Sequence, residues 1–236
     1  MSYYLLIAPT VEEFTVLKST LVSASEKEYA GIKGLEFTTP KGNVFAIHGK
    51  VGKVNTAFDI GRISAVLDLS GIINIGCAGS LSDSLRKLDV VVATKVACYD
   101  NDLTAFGLPY GQMDDEPLYY ECDLDTINMI KENETNFDIK TGLIISADRF
   151  ATKNNIGKEI LEKFDNPIAC DMESSAVAQC AHNMGIPFYI IRCISDEINE
   201  TKENKDSYEE FATVSARLSV RTALHFLNFD PDSVNN

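Results

Sequence analysis

The stretch Asp171-Met172-Glu173-Ser174-Ser175-Ala176-Val177-Ala178-Gln179-Cys180-Ala181-His182-Asn183-Met184-Gly185-Ile186-Pro187, followed by Phe188-Tyr189-Ile190-Ile191-Arg192-Cys193, holds the fold class in miniature. Asp171 to Met184 reads as a strong helix. Gly185 stops it, because glycine takes the left-handed cap conformation without penalty, and Pro187 cannot continue it. Phe188 to Cys193 is then a nearly continuous apolar run, the pattern of a strand covered on both faces. The same alternation extends in both directions. Tyr3 to Ala8 is an apolar strand ended by Pro9, and Glu12 to Leu21 carries Phe14, Leu17 and Leu21 at helical spacing. Phe37 and Val44 to His48 read as strands flanking a turn at Pro40-Lys41-Gly42. Lys53 to Leu69 reads as a helix closed by Ser70-Gly71, and Ile72 to Ile75 as a strand running into Gly76-Cys77-Ala78-Gly79-Ser80. Val90 to Ala97 and Gly142 to Ser146 are further β-rich runs, Pro109 to Pro117 is a loop, and Tyr208 to Leu227 is a long closing helix. Strands alternating with helices predict an α/β, three-layer domain with a central mixed, largely parallel sheet flanked by helices.

The 236 residues, 45% of them hydrophobic, are enough for one large core, so residues 1–228 are expected to form one domain and 229–236 a polar C-terminal tail. Thirty-five acidic against 21 basic residues give a net charge of −14, a field that repels nucleic acid and anionic membrane surfaces. A small neutral or cationic ligand is the expected partner. The six cysteines show no C-x-x-C pair, and several lie in apolar runs, as core thiols do in a reducing compartment. No apolar run approaches the ~18 residues of a membrane span, and the opening run is too short for a signal peptide; the cytoplasm is the expected location.

In sheets of this kind ligands gather at the carboxyl ends of strands. Glu12-Glu13, Gly76 to Gly79, Asp171-Met172-Glu173 and Ser195-Asp196 all fall there. Taken singly, each has a plain explanation: acids in the first turn of a helix complement its dipole, and Asp196 suits a turn or cap. The Gly76–Gly79 loop has no Lys or Arg and no G-x-G-x-x-G spacing, so it is a poor phosphate cradle. His48, His182 and His225 lack metal-ligand spacing, so no metal is expected there. Arg149-Phe150, beyond the strand 142–146, puts a cation beside an aromatic ring.

Together these segments resemble a known pattern. Asp171 to Gln179, then Gly185-Ile186-Pro187-Phe188 and Ile191-Arg192-Cys193-Ile194-Ser195-Asp196, closely resemble the signature of the 5′-methylthioadenosine/S-adenosylhomocysteine nucleosidases. Gly49 to Asn55, Ile75 to Gly79, Asp102 to Gly107 and Tyr110-Gly111-Gln112 extend the resemblance along nearly the whole chain. It implies a fold like that of purine nucleoside phosphorylases, a homodimer, and an N-glycosyl hydrolase that splits adenine from the ribose of a 5′-modified nucleoside with neither metal nor organic cofactor. By position, Asp196 matches the acid that protonates the imidazole-ring nitrogen of the leaving adenine, with Ser195 helping to hold it. Such an acid must stay protonated at neutral pH, which burial in a low-dielectric cleft favours. Glu13 matches the carboxylate that positions and deprotonates water, Arg192 the arginine near it, and Glu173 the carboxylate gripping the ribose hydroxyls, with Met172 against the sugar. Phe150 matches the ring stacked on adenine and Ala151 the peptide that reads its edge; Cys77, Ala78 and Gly79 line the nucleoside. Val51, Leu103, Phe106, Leu108 and Tyr208 match the pocket for the 5′ substituent, the 103–108 loop being the one that reaches the partner subunit's pocket. The chain departs from the usual pattern at Thr10, Cys77, Leu108, Ala147, Arg149, Ala151 and Asp171, none of which removes one of these carboxylates.

A nucleoside phosphorylase is the sister chemistry, but it needs a cationic phosphate pocket, whereas the first-strand loop offers Glu12 and Glu13 and the segment before Gly76 has no arginine. A non-catalytic nucleoside-binding protein would have no use for Glu13, Glu173 and Asp196 together. Other 5′-modified adenosines, such as aminodeoxyfutalosine or 5′-deoxyadenosine, are alternative substrates. The apolar 5′ pocket predicts a preference for methylthioadenosine over S-adenosylhomocysteine, which Arg149 would reverse if it turned toward the pocket mouth.

Overall fold

The computed structural model describes residues 2–133, 138–199 and 203–229. Strand β1 (Tyr3–Ala8) leads through Pro9 and Thr10 into helix α1 (Val11–Thr20). Strands β2 (Ser25–Tyr29), β3 (Ile32–Thr39) and β4 (Gly42–His48) follow, then α2 (Lys53–Ser64), β5 (Leu69–Ser80) and β6 (Val90–Cys98). After a 3₁₀ turn at Thr104–Phe106 come β7 (Tyr120–Glu121), α3 (Leu124–Asn133), β8 (Ile139–Ser146), α4 (Lys158–Leu161), β9 (Pro167–Asp171), α5 (Ser174–Met184), β10 (Phe188–Glu197) and α6 (Asn204–Phe226).

The mixed sheet is parallel through its middle, where β4, β1, β5 and β10 lie side by side. Its far half closes on itself. β10 pairs antiparallel with β6, β6 runs parallel to β8 and β8 to β9, and β9 returns antiparallel to β5 through Gly79 opposite Cys170 and Ser80 opposite Ala169. The near half is an open antiparallel wing, β4–β3–β2. Helices α1, α3 and α6 pack together on one face; α2 and α5 pack together on the other. Leu5, Leu6, Ile7, Ile72, Ile73, Ile190 and Ile191 are fully buried between these layers. Each such side chain contributes roughly 1.5–3 kcal/mol of burial free energy.

Several expected boundaries move. The helix expected to run to Leu69 ends at Ser64, and Ser70-Gly71 belongs to β5 rather than to a helix cap. A Cβ on Gly71 would lie 2.9 Å from Cε1 of Tyr4, so this glycine serves close strand packing. β5 continues through Gly76–Ser80, and β10 through Ser195-Asp196, because each keeps pairing with the other as far as Glu197 opposite Ser80. Asp171 ends β9 instead of opening a helix, and Glu173 is the residue capping α5. Phe229, placed by sequence in the polar tail, packs edge-on against Phe37 at 5.2 Å between ring centres; the rest of that expected tail, 230–236, lies outside the described residues. The ends of β1, β5, β9 and β10 are thereby gathered around one cavity at a rim of the sheet.

Candidate active site

Glu13 enters the site from the first turn of α1, and its carboxylate is divided between two backbone amides. Oε2 accepts from the Thr10 amide at 2.9 Å while Thr10 Oγ1 accepts from the Glu13 amide at 3.2 Å, a reciprocal capping box. Oε1 accepts from the Cys77 amide of β5 at 2.9 Å. One oxygen of Glu13 thus serves the helix cap, and the other ties the side chain to β5. The side chain is 3% exposed. Gly76 makes the approach feasible: its φ is +141°, and a Cβ there would sit 2.5 Å from Glu13 Oε1 and 2.6 Å from Arg192 Nη1.

Arg192 is buried in β10, and its guanidinium joins the acids. Nη2 pairs with Asp171 Oδ2 at 2.7 Å and Glu173 Oε2 at 3.2 Å and also bonds Asn74 Oδ1, while Nη1 donates to the Ile75 carbonyl at 3.0 Å. Burial works against its charge, but Asp171, Glu173 and Glu13 hold its pKa above the ordinary arginine value. Asp171 in turn accepts from the hydroxyls of Ser146 and Ser174 and from the Ser174 amide at 3.2 Å. Glu173 accepts from the Gly52 amide at 3.0 Å on its other oxygen. Burial pushes the Glu173 carboxyl up to about 7; Arg192 opposes the shift and Asp171 adds to it.

Asp196 is 2% exposed at the end of β10. Ser195 Oγ donates to its Oδ1 at 2.9 Å, and Asn204 Nδ2, from the first turn of α6, donates to its Oδ2 at 3.1 Å and to the Glu197 carbonyl at 3.0 Å. Gly79 lies against it: a Cβ on Gly79 would come within 3.3 Å of Asp196 Oδ2. Ser195 Oγ also lies 3.4 Å from the Ala78 carbonyl.

These groups line a cavity of about 470 Å³, within the range of a nucleoside-sized ligand pocket. Glu13, Glu173, Asp196, Arg192, Ser195, Cys77, Ala78, Gly79, Phe150, Ala151, Met172, Val51 and Tyr208 all border it. Phe150 and Tyr208 meet edge to face at 5.9 Å to form an aromatic corner. Leu103, Phe106 and Leu108 do not border this chain's own cavity; Phe106 is 83% exposed on the 3₁₀ turn, pointing away from the protein body. Among the described residues no group of three or more His, Cys, Asp and Glu side chains is placed to hold a metal ion.

Sequence reasoning did not assign site roles to Asn74, Ser146, Asn204 and Lys205, and it placed Asp171 in a candidate acidic stretch without giving it a role of its own. Asn74 left a signal, the one polar residue in the run Ile72-Ile73-Asn74-Ile75. Asn204 left none, standing in a polar stretch whose neighbourhood to Asp196 arises only when α6 docks.

The model of the phosphorylase superfamily matches residues 3–228. A 5′-methylthioadenosine/S-adenosylhomocysteine nucleosidase of Halalkalibacterium halodurans is 33% identical over 90% of this chain and 92% of its own length. The chain belongs to that nucleosidase family. A nucleosidase of the same name from Staphylococcus aureus is 31% identical over 91% of this chain and 96% of its own. Among solved structures, the S. pneumoniae nucleosidase with a transition-state inhibitor superposes with a TM-score of 0.86 at 30% identity, covering 96% of this chain and 98% of that one. A Borrelia burgdorferi chain bound to adenine gives 0.87 at 31%, covering 95% and 99%. The nucleoside phosphorylase-like fold expected from the sequence is therefore the fold of this protein, and the motifs around Val51, Gly79, Glu173 and Asp196, among those that suggested the nucleosidase family, border its cavity.

Proposed function

We propose that this protein hydrolyses the N-glycosidic bond of 5′-methylthioadenosine and S-adenosylhomocysteine, releasing adenine and the 5′-thio-ribose. The observation that carries the reading is the convergence of three buried carboxylates, Glu13, Glu173 and Asp196, on one cavity with an aromatic corner. Asp196 delivers a proton to the imidazole-ring nitrogen of adenine as the bond to C1′ breaks and its electron pair leaves with the base. Water forms the new C1′–O bond and gives its proton to Glu13, whose backbone amide partners fix the carboxylate's direction. Glu173 holds the ribose hydroxyls, and the carboxylates oppose the positive charge that develops on the sugar. Solvent then returns the proton to Asp196. Phe150 stacks on the base, with Ala151 at its edge and Met172 against the sugar.

The 5′ substituent lies toward Val51 and Tyr208, and Leu103, Phe106 and Leu108 of a second subunit complete that pocket in a homodimer. Arg149 and Lys205 also border the cavity, Lys205 pairing with Glu209 at 3.5 Å, so a charged tail meets a mixed rim rather than a dedicated cationic site. This supports methylthioadenosine as the better substrate. The reaction is a step of methionine salvage in the cytoplasm, a setting in keeping with six unpaired cysteines.

Adenine release from a panel of 5′-modified adenosines, assayed with and without phosphate and chelator, tests the reading. Methylthioadenosine should lead the panel and need neither addition. Asp196→Asn and Glu13→Gln should each lower turnover by about 10²–10⁴ with the fold intact, since each removes one proton-transfer group. A wild-type chain that releases no adenine, or a dependence on phosphate, would overturn it.

A further inference from the structure

Outside the carboxylate cluster, polar groups of three residues close into a ring that joins two loops bordering the cavity. The Lys53 ammonium bonds the Asp100 carboxylate, and each side chain is 20% exposed. The other oxygen of Asp100 accepts from the Asp148 amide at 3.0 Å. The Asp148 carboxylate accepts from the Lys53 amide at 2.7 Å, returning to the starting residue. Cys98 lies inside the ring, its Sγ 3.2 Å from the Lys53 ammonium and 2.9 Å from Asp100.

Two corners of the ring adjoin residues of the site. Lys53 opens α2, and the amide just before it, that of Gly52, is the one that donates to Glu173 Oε1 at 3.0 Å. Asp148 directly precedes Arg149-Phe150-Ala151, which border the cavity. Gly52 has φ +100°, and a Cβ there would lie 3.2 Å from Asp148 Oδ1, so the two loops are in close contact as well as bonded. Asp100 follows β6 and bonds both loops. None of Lys53, Asp100 and Asp148 borders the cavity.

We infer that the Lys53–Asp100–Asp148 ring is a positioning unit that sets the Gly52 amide on Glu173 and the Phe150 loop on the base at one fixed separation. Its members touch no substrate; they act through the sugar-facing carboxylate at one end and the stacking ring at the other. The inference rests on the reading of the cavity as a nucleoside site. It follows from connectivity: a carboxylate that accepts from the amide of one loop while pairing with the side chain of the other cannot let either move alone. A hydrogen bond to a charged group in such a place is worth roughly a tenfold to hundredfold change in an equilibrium.

The test compares Asp148→Ala, Asp100→Ala, the double variant, Lys53→Met and Lys53→Arg. Turnover of methylthioadenosine is measured beside that of its 3′-deoxy analogue. Calorimetric binding of adenosine and 3′-deoxyadenosine accompanies both, with the melting temperature of each variant. A positioning unit predicts that the single variants lose about tenfold in kcat/KM and bring the ribose and 3′-deoxy substrates closer together, because Glu173 loses its orientation. The double variant should be no worse than the worse single, since one broken link opens the ring. Lys53→Arg should recover part of what Lys53→Met loses. Unchanged discrimination between the two sugars, additive losses, or a loss that merely follows the folded fraction would overturn the inference. A wild-type chain that binds neither adenosine nor its 3′-deoxy analogue would overturn the nucleoside reading itself, whereas wild-type binding with indifferent variants would overturn the ring alone.

Discussion

Glu173 carries a measurable consequence at the scale of a single residue. Its carboxyl is pushed up to about 7, chiefly by burial, against an ordinary value of 4.5. The folded chain therefore retains a proton that the unfolded chain releases between about pH 4.5 and pH 7, and the sign follows directly. Stability is fully present below the unfolded value and is lost as pH rises through the folded one. Replacing Glu173 with Gln removes that loss, so the variant should gain melting temperature relative to wild type between pH 5 and pH 8. A constant difference across that range would show that the carboxyl titrates where a solvent-exposed one does. The three acids at the centre of the site were legible in the sequence because their neighbours form a recognisable pattern. Their partners were less so. The Cys77 amide reaches Glu13 only because β1 and β5 are adjacent, and Asn204 meets Asp196 only through the docking of α6. Contacts between residues 64 and 8 positions apart in sequence are written by tertiary packing, and no local spacing announces them.

At the scale of elements, apolar strands and capped helices were legible, whereas β2 and β9 were not. β2 reads Ser25-Glu26-Lys27-Glu28-Tyr29, with no buried face to give it a period, and it is a strand because β3 offers an edge. β9 is five residues that bridge β8 and β5. The extension of β5 past Ile75 was also hidden, since glycines in a run read as a loop. That extension makes Gly76 a joint between elements: it lets the end of β5 pass between α1 and β10 with the Glu13 carboxylate and Arg192 guanidinium against its α-carbon. Gly76→Ala should displace both groups and strain a backbone at φ +141°, lowering kcat/KM by roughly a hundredfold while the sheet persists. Near-normal turnover of a folded Gly76→Ala protein would mean that neither group has to stay where it is.

Across the whole molecule, the proposed homodimer is tested through apolar side chains that the single chain leaves exposed. Val54 and Phe58 on α2 are 77% and 63% exposed, Phe106 is 83% exposed, and Met113 is 40% exposed. Side chains of this kind are the ones a partner subunit would cover. A homodimer that buries them should appear in light scattering at about twice the chain mass, and Phe106→Asp should lower both the dimer fraction and turnover. A fully active monomer would exclude a partner's loop from the 5′ pocket.

The closed ring of β5, β10, β6, β8 and β9 also divides the molecule by how it can come apart. A strand in a closed ring is paired on both sides, so no amide in it is released by peeling from an edge; the wing β4–β3–β2 has such an edge at β2. Native-state hydrogen exchange should therefore split into two classes. Amides of Ile191 to Cys193 and Ile144 to Ser146 should exchange only through global unfolding, with the full denaturant dependence, while those of Glu26 to Tyr29 exchange through a shallow local opening. Because β5, β9 and β10 carry the site, a bound nucleoside would slow the first class and leave the second untouched.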